Sequence, residues 1–180
     1  RLNRLVGNLL DQTRLESGTL KPRLDWCDMN DIVNAALNEV RDSLAHNPVT
    51  LSIPADLPPV RADFALTEQA LVNLLLNAAM HTPTGTPIAL TAGLNKESKR
   101  VFLTLADKGP GLPPSMRNRV FQKFSRGDVA RAGGLGLGLS IVHGFIVSQG
   151  GGIAADENPA GGASFTLRLP FKEIENIPSE

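Results

Sequence analysis

A chain of 180 residues with 42% hydrophobic content has room for one domain with a substantial core plus an appended element. Eighteen basic residues balance eighteen acidic ones, so no net field points to nucleic acid or an anionic membrane, and any phosphate binding has to be local. The single cysteine, Cys27, excludes an internal disulfide and a Cys-based zinc site, and the longest apolar run, 135–147, is broken by glycine and His143 and is too short to span a bilayer.

The chain opens on Arg1 in mid-pattern, without an initiator Met or a signal peptide, and so reads as a piece of something longer. Leu2, Leu5, Val6, Leu9, Leu10 and Leu15 form a helical stripe over residues 1–16, stopped by Ser17-Gly18. This predicts an amphipathic helix whose natural partner is another helix. Residues 21–25 read as a short strand or extended connector. Asp28 or Asn30 then caps a second helix through Ile32, Val33, Ala36, Leu37 and Val40, ending near His46. Residues 49–53 alternate as a strand, Pro58-Pro59 breaks it, and 60–62 add a brief second one.

The central helix follows, capped by Asp63 and covering EQALVNLLLNAAMHTP (68–83). At 3.6 residues per turn it puts Leu71, Leu74, Leu75 and Ala78 on one side, while Asn73 and Asn77 share the other. Asparagine is a mediocre helix former whose amide needs a partner once buried, so the pair calls for an explanation. Solvation, or bonds to neighbouring loops, is the plain one. Two strands come next, 88–94 and 100–106, with a hairpin signal at 95–99. A Gly/Pro-rich loop, 107–114, leads to a short helical turn at 116–120 and a mobile loop at 127–134. Residues 137–148 are helical by apolar density, and strands 153–156 and 163–169 are joined by an Asn158-Pro159…Gly161-Gly162 turn. The tail from Lys172 is polar and frayed. The mixture predicts a two-layer α/β sandwich, one mixed sheet covered by helices on one face, with the N-terminal amphipathic helix added.

Two glycine-bearing stretches carry chemistry. Asp107-Lys108-Gly109-Pro110-Gly111 puts a carboxylate at the end of a buried strand, followed by glycines that let backbone approach a flat ligand; it suits an exocyclic amine, although a simple D-x-G turn fits too. Gly133-Gly134-Leu135-Gly136-Leu137-Gly138-Leu139 ends a loop and opens a helix, the arrangement that aims backbone N–H groups at phosphate. A Rossmann reading fails, because an aperiodic loop precedes these glycines instead of a strand.

Taken together and in order, N-L-L-L-N-A (73–78), D-K-G-P-G (107–111), F-Q-K-F-S-R (121–126) and G-L-G-L-G-L-S-I (134–141) resemble the N, G1, F and G2 boxes of sensor histidine kinases. N-L-L-D-Q-T-R-L-E-S-G (8–18) looks like the end of the second helix of their dimerisation and histidine-phosphotransfer domain. The wording of 14–26 and L-P-P-S-M (112–116) is most similar to the potassium-responsive KdpD group.

The resemblance implies a Bergerat-type ATP site. Asn77 would give its amide oxygen to Mg²⁺, which needs few protein ligands beside phosphate and water. Asn73 would line the phosphates or the metal's water shell, and Asp107 would hold adenine, with Gly109 and Gly111 lining its pocket. Arg126 looks like the lid arginine that neutralises the γ-phosphate, with Arg131 and Lys123 as weaker candidates. Gly134, Gly136 and Gly138, with Leu135 and Leu137 between them, would admit the phosphates and hinge the lid. Gyrase, MutL and Hsp90 carry a glutamate where this chain has Asn73; an amide cannot take a proton from water, so hydrolysis should be poor.

The chain departs from the family pattern at Met80, where a Lys is common, at Leu76, where an acid is common, and at His81, which replaces Tyr or Phe and is either an aromatic-like wall or a surface histidine. Met80 and Leu76 motivate an alternative, a degenerate nucleotide-binding or interaction module. None of His46, His81 and His143 has the setting of the family's phosphoacceptor. The chain is therefore expected to bind ATP without phosphorylating itself, and to dimerise weakly. The implied layout is a remnant helix at 1–18, a linker at 19–27, the catalytic domain at 28–172 and a tail at 173–180. The implied partners are ATP, the histidine-bearing dimerisation domain, a response regulator and, in a full-length parent, a second copy. The fragment itself would be cytoplasmic and touch no membrane.

Overall fold

A computed structural model describes residues 2–113, 116–117, 119–123 and 136–171, with side chains from residue 6 onward. Helix α1 (Leu2–Glu16) is followed by β1 (Asp25–Cys27), α2 (Met29–Glu39), β2 (Val49–Ser52), β3 (Val60–Ala62) and α3 (Phe64–His81). Then come β4 (Ile88–Asn95), β5 (Arg100–Asp107), α4 (Gly138–Ser148), β6 (Gly152–Glu157) and β7 (Ala163–Pro170). The predicted turn near 116–120 is present as hydrogen-bonded turns, with Arg119 N–H donating to the Met116 carbonyl at 2.9 Å. The predicted loop at 127–134 and the tail from Lys172 lie outside the described residues.

Five strands form one mixed sheet in the order β2-β4-β5-β7-β6. Its pairs are antiparallel except β2 with β4, which run parallel. Register carries the burial. Leu105 faces Leu90 on one side and Phe165 on the other, Leu103 faces Ala92 and Leu167, and all of these are buried. Because side chains alternate across a strand, the same register sends Thr104 and Thr166 to the opposite face, where their hydroxyls meet at 2.9 Å. Helices α3 and α4 cover the apolar face, packing on each other and contacting β5, β6 and β7. Each fully buried Leu, Ile or Phe in this layer, Leu71, Leu74, Ile141 and Phe145 among them, contributes roughly 1.5–3 kcal/mol.

The stretch 21–25, read as a short strand or extended connector, becomes a strand only at Asp25–Cys27, which pairs antiparallel with β3 in a separate two-stranded ribbon. The shift follows from burial: Cys27 faces the core, and only there does the chain reach the edge of β3. Helix α1 docks by its last turn on α4. Leu15 fills the space above Gly144, where an added Cβ would stand 2.6 Å from Leu15 Cδ1. Ser140 Oγ donates to Gln12 Oε1 at 3.3 Å, and Lys123 Nζ donates to Glu16 Oε1 at 2.6 Å. Val6, Leu9 and Leu10 on its other side remain more than half exposed.

Candidate functional site

Helix α3 presents the central polar groups, and its start is pinned from two directions. Asp63 Oδ1 accepts the Leu66 N–H at 3.1 Å, as a side-chain cap should. Gln149, buried at the end of α4, accepts the Asp63 N–H at 2.6 Å and the Thr67 hydroxyl at 3.2 Å. Ala70, Leu71, Val72, Leu74, Leu75 and Ala78 are all buried, so the helix is enclosed on most of its circumference. Asn73 is enclosed with them, 8% exposed, and its Nδ2 has no hydrogen-bond partner among the described residues. An unpaired buried amide costs about 1–3 kcal/mol and is retained where something outside the chain can pair it. Asn77, one turn on, is half-buried.

The far end of α3 touches the glycine loop after β5. Thr82, the C-cap, holds its hydroxyl on the Ala78 carbonyl at 2.8 Å and turns its methyl to Gly109, where a Cβ would stand 2.7 Å from Thr82 Cγ2. Only a residue without a side chain fits. Asn77 precedes Thr82 by five residues, about 7 Å along the helix axis. Asn47, buried behind, donates Nδ2 to Thr82 Oγ1 at 3.4 Å and to the Thr86 carbonyl at 3.0 Å, which steadies the turn after α3.

Asp107 is 5% exposed. Its Oδ1 accepts the Gly109 N–H at 2.8 Å and the Ala163 N–H at 3.2 Å, and its Oδ2 takes no hydrogen bond among the described residues. Gly111 lies against the Gly162 carbonyl. At the start of α4, Gly136 takes a left-handed φ of +67°, and among the described residues the helix has no side-chain capping bond, the state in which its first N–H groups can meet an anion. Leu137 turns its side chain into the core and no described residue lies within 4 Å of a Cβ at Gly138, so these two positions offer backbone only.

The Thr82–Gly109 contact thus joins the end of α3, the helix that bears Asn73 and Asn77, to the loop of Asp107, Gly109 and Gly111. His81 is exposed at the end of α3, next to the half-exposed Met80, while Leu76 packs against the core. Lys123 stands apart from this group in its ion pair with Glu16, which holds the Glu16 carboxyl below the usual range. Arg126, Arg131, Gly134 and Leu135 lie outside the described residues. Two open clefts of about 480 and 500 Å³ lie elsewhere, one beside Trp26 and Phe64, the other between Leu15, Phe121 and His143. Sequence reasoning missed Thr82, which packs on Gly109, Asn47, which steadies Thr82, and the 158–163 turn that bonds Asp107. The Gly161-Gly162 pair at a strand start was the available signal, since it marks close backbone approach.

Comparison with known proteins matches residues 62–173, more than half of the chain, to the family described as histidine kinase-, DNA gyrase B-, and HSP90-like ATPase. The sensor protein KdpD of Escherichia coli (strain K12) is 38% identical over 168 residues, covering 93% of this chain and 18% of that protein. The probable sensor histidine kinase TcrY of Mycobacterium tuberculosis is 35% identical over 184 residues, covering 99% of this chain and 38% of its own. The chain therefore spans well under half of these curated relatives. Among solved structures, the mycobacterial sensor histidine kinase MprB superposes with a TM-score of 0.72 at 28% identity, covering 83% of this chain and 98% of that one. Full-length ShkA, solved in complex with AMPPNP, superposes with a TM-score of 0.82 at 28% identity, covering 94% and 36%.

Proposed function

This chain belongs to the histidine kinase-, DNA gyrase B- and HSP90-like ATPases, and on that premise we propose that it works as the ATP-binding catalytic domain of a two-component sensor kinase of the KdpD type. The γ-phosphoryl of ATP passes to a histidine on a separate helical domain, from which a response-regulator aspartate takes it. The observation that carries this reading is the enclosed amide of Asn73, without a partner for its Nδ2 among the described residues, on the helix that also bears Asn77.

Each side chain has a distinct task in this reading. Asp107 accepts a hydrogen bond from the adenine amine, with Gly109 and Gly111 keeping its surroundings flat. Asn73 donates its free Nδ2 toward phosphate or its water shell. Asn77 holds Mg²⁺ through its amide oxygen; no group of three or more His, Cys, Asp or Glu able to hold a metal occurs among the described residues, and a neutral amide beside phosphate oxygens suits Mg²⁺. When bound, the metal offsets charge on the phosphates. His81 walls the nucleotide. Backbone N–H groups of Gly134, Leu135, Gly136, Leu137 and Gly138 meet the phosphates, and Arg126 counters the γ-phosphate charge, with Lys123 in reserve once it leaves Glu16. Because Asn73 cannot act as a base, water is a poor acceptor here, as a kinase requires.

Residues 1–18 fit the end of a dimerisation helix, 19–27 a connector, 28–172 the catalytic domain and 173–180 a tail; the exposed Val6, Leu9 and Leu10 then belong to a bundle completed by a second copy in the parent. Among the described residues no helix is long and apolar enough to cross a membrane, which suits a cytoplasmic domain of an anchored parent. The test supplies a separate histidine-bearing domain with ATP and Mg²⁺. Phosphohistidine is expected with the wild type and its loss with Asn77→Ala. Equal signal from both refutes the metal role, absence of ATP binding favours a degenerate module, and steady phosphate release favours a hydrolase.

A further inference from the structure

The Asp107 carboxylate is aimed by backbone donors that arrive from two places. Gly109 lies two residues on, whereas Ala163 comes from the start of β7. What brings Ala163 there is the turn before it. Asn158 uses all four of its polar groups: its N–H donates to the Gly162 carbonyl at 3.0 Å, its carbonyl accepts the Gly161 N–H at 2.8 Å, and its Oδ1 accepts the Ala160 N–H at 3.1 Å. Its Nδ2 donates to the Asp107 carbonyl oxygen at 2.8 Å. Three of these bonds close the turn and the fourth fastens it to the strand end that carries the carboxylate. Gly162 fits flush beneath, since a Cβ there would overlap the Asp107 carbonyl oxygen and come within 2.7 Å of Asp107 Oδ1. Glu157, just before the turn, pairs with Arg117 from the segment that follows the glycine loop.

We infer that the 158–163 turn sets the base selectivity of the nucleotide site, with Asn158 as the positioning residue; this rests on the reading of Asp107 as the adenine acceptor. Two donors on Oδ1 stop the carboxylate from rotating and hold Oδ2 in one place. A fixed carboxylate oxygen rewards a base that presents an N–H and rejects one that presents a carbonyl oxygen, because the two oxygens then meet lone pair to lone pair. A carboxylate released from the turn swivels, admits water and tells the two apart less well. Asn158 touches no base; it acts through Asp107.

The test titrates wild type, Asn158→Ala and Asn158→Ser with ATP and with inosine triphosphate, which carries a carbonyl oxygen in place of the amine. Serine keeps an acceptor for the Ala160 N–H but is too short to reach the Asp107 carbonyl. Wild type is expected to prefer ATP, and both variants to narrow that preference about fivefold, the worth of one neutral hydrogen bond. A merely structural role would weaken both nucleotides alike and leave the ratio in place. Without nucleotide, the amide proton resonances of Gly109 and Ala163 are expected to move upfield in both variants as their bonds to Oδ1 lengthen, which gives a second readout should Asn158→Ala fold poorly. An unchanged ratio, with unmoved amide resonances, overturns the inference and leaves Asp107 as acceptor. Equal binding of both nucleotides by the wild type overturns the adenine reading itself, and the inference with it.

Discussion

Gly161 and Gly162 share almost the same left-handed backbone, φ of +89° and +94°, in very different surroundings. An added Cβ at Gly161 meets nothing within 4 Å, whereas at Gly162 it would collide with the Asp107 carbonyl group and carboxylate. Alanine at either position pays the conformational cost of a left-handed L-residue, about 1–2 kcal/mol. At Gly162 the overlap adds the cost of overpacking, roughly 1–3 kcal/mol more, because the Asp107 carbonyl belongs to backbone that cannot rotate aside and only the carboxylate can give way. For a chain of this size each kcal/mol lowers Tm by roughly 2–4 °C. Gly161→Ala is therefore expected to melt about 4 °C below wild type, and Gly162→Ala about 10 °C below. Calorimetric melting with an ATP titration of each variant separates the effects: Gly161→Ala keeps wild-type affinity, while Gly162→Ala loses it by about tenfold or more as Asp107 is pushed off its donors. Equal melting shifts, or unaltered ATP binding by Gly162→Ala, would refute the close packing of this turn on Asp107.

Three further outcomes follow from single interactions. Replacing Asn73 with Leu removes the unpaired amide and is expected to raise stability by about 1 kcal/mol in urea denaturation while abolishing ATP binding; a loss of stability would show that the amide is paired within the chain. Gln149→Leu strips the acceptor from the Asp63 N–H and the donor from the Phe145 carbonyl at the α3–α4 junction, and should cost about 2 kcal/mol in the same assay, with a near-neutral result arguing against that bridge. The Glu16 carboxyl is held low by its hydrogen bond from Lys123, then by Gln12. A depressed folded value means that its contribution to α1 docking is present above the ordinary carboxylate range and lost as pH falls through that value. Amide exchange in the last turn of α1 should therefore quicken on acidification, and Lys123→Gln should weaken that dependence, leaving the smaller part due to Gln12.

Much of the fold was open to sequence reading because it rests on local periodicity. Alternation at Val101, Leu103 and Leu105 gave β5 within one residue of its end, and Asp63 marked the start of α3 by its capping chemistry. The fold class followed from the mixture of such elements, and the family from the four short stretches at 73–78, 107–111, 121–126 and 134–141. The partner of the capping residue did not: Gln149 lies 86 positions away, and no pattern around either residue announces the other. Residues 25–27 likewise found their strand partner only through β3, whose edge is set by the bridge to Phe171.

By itself, then, the sequence determined which side chains are buried, where helices begin, and which residue types could meet a nucleotide, because each is written in spacing along one element. Tertiary structure alone decided how those groups are aimed. Asp107 owes its orientation to Asn158 and Ala163, 51 and 56 residues downstream, and Lys123 owes its ion pair to Glu16, 107 residues upstream. A hydrogen bond depends on position to within tenths of an ångström, and such positions arise only when the sheet register and the helix packing have been fixed together.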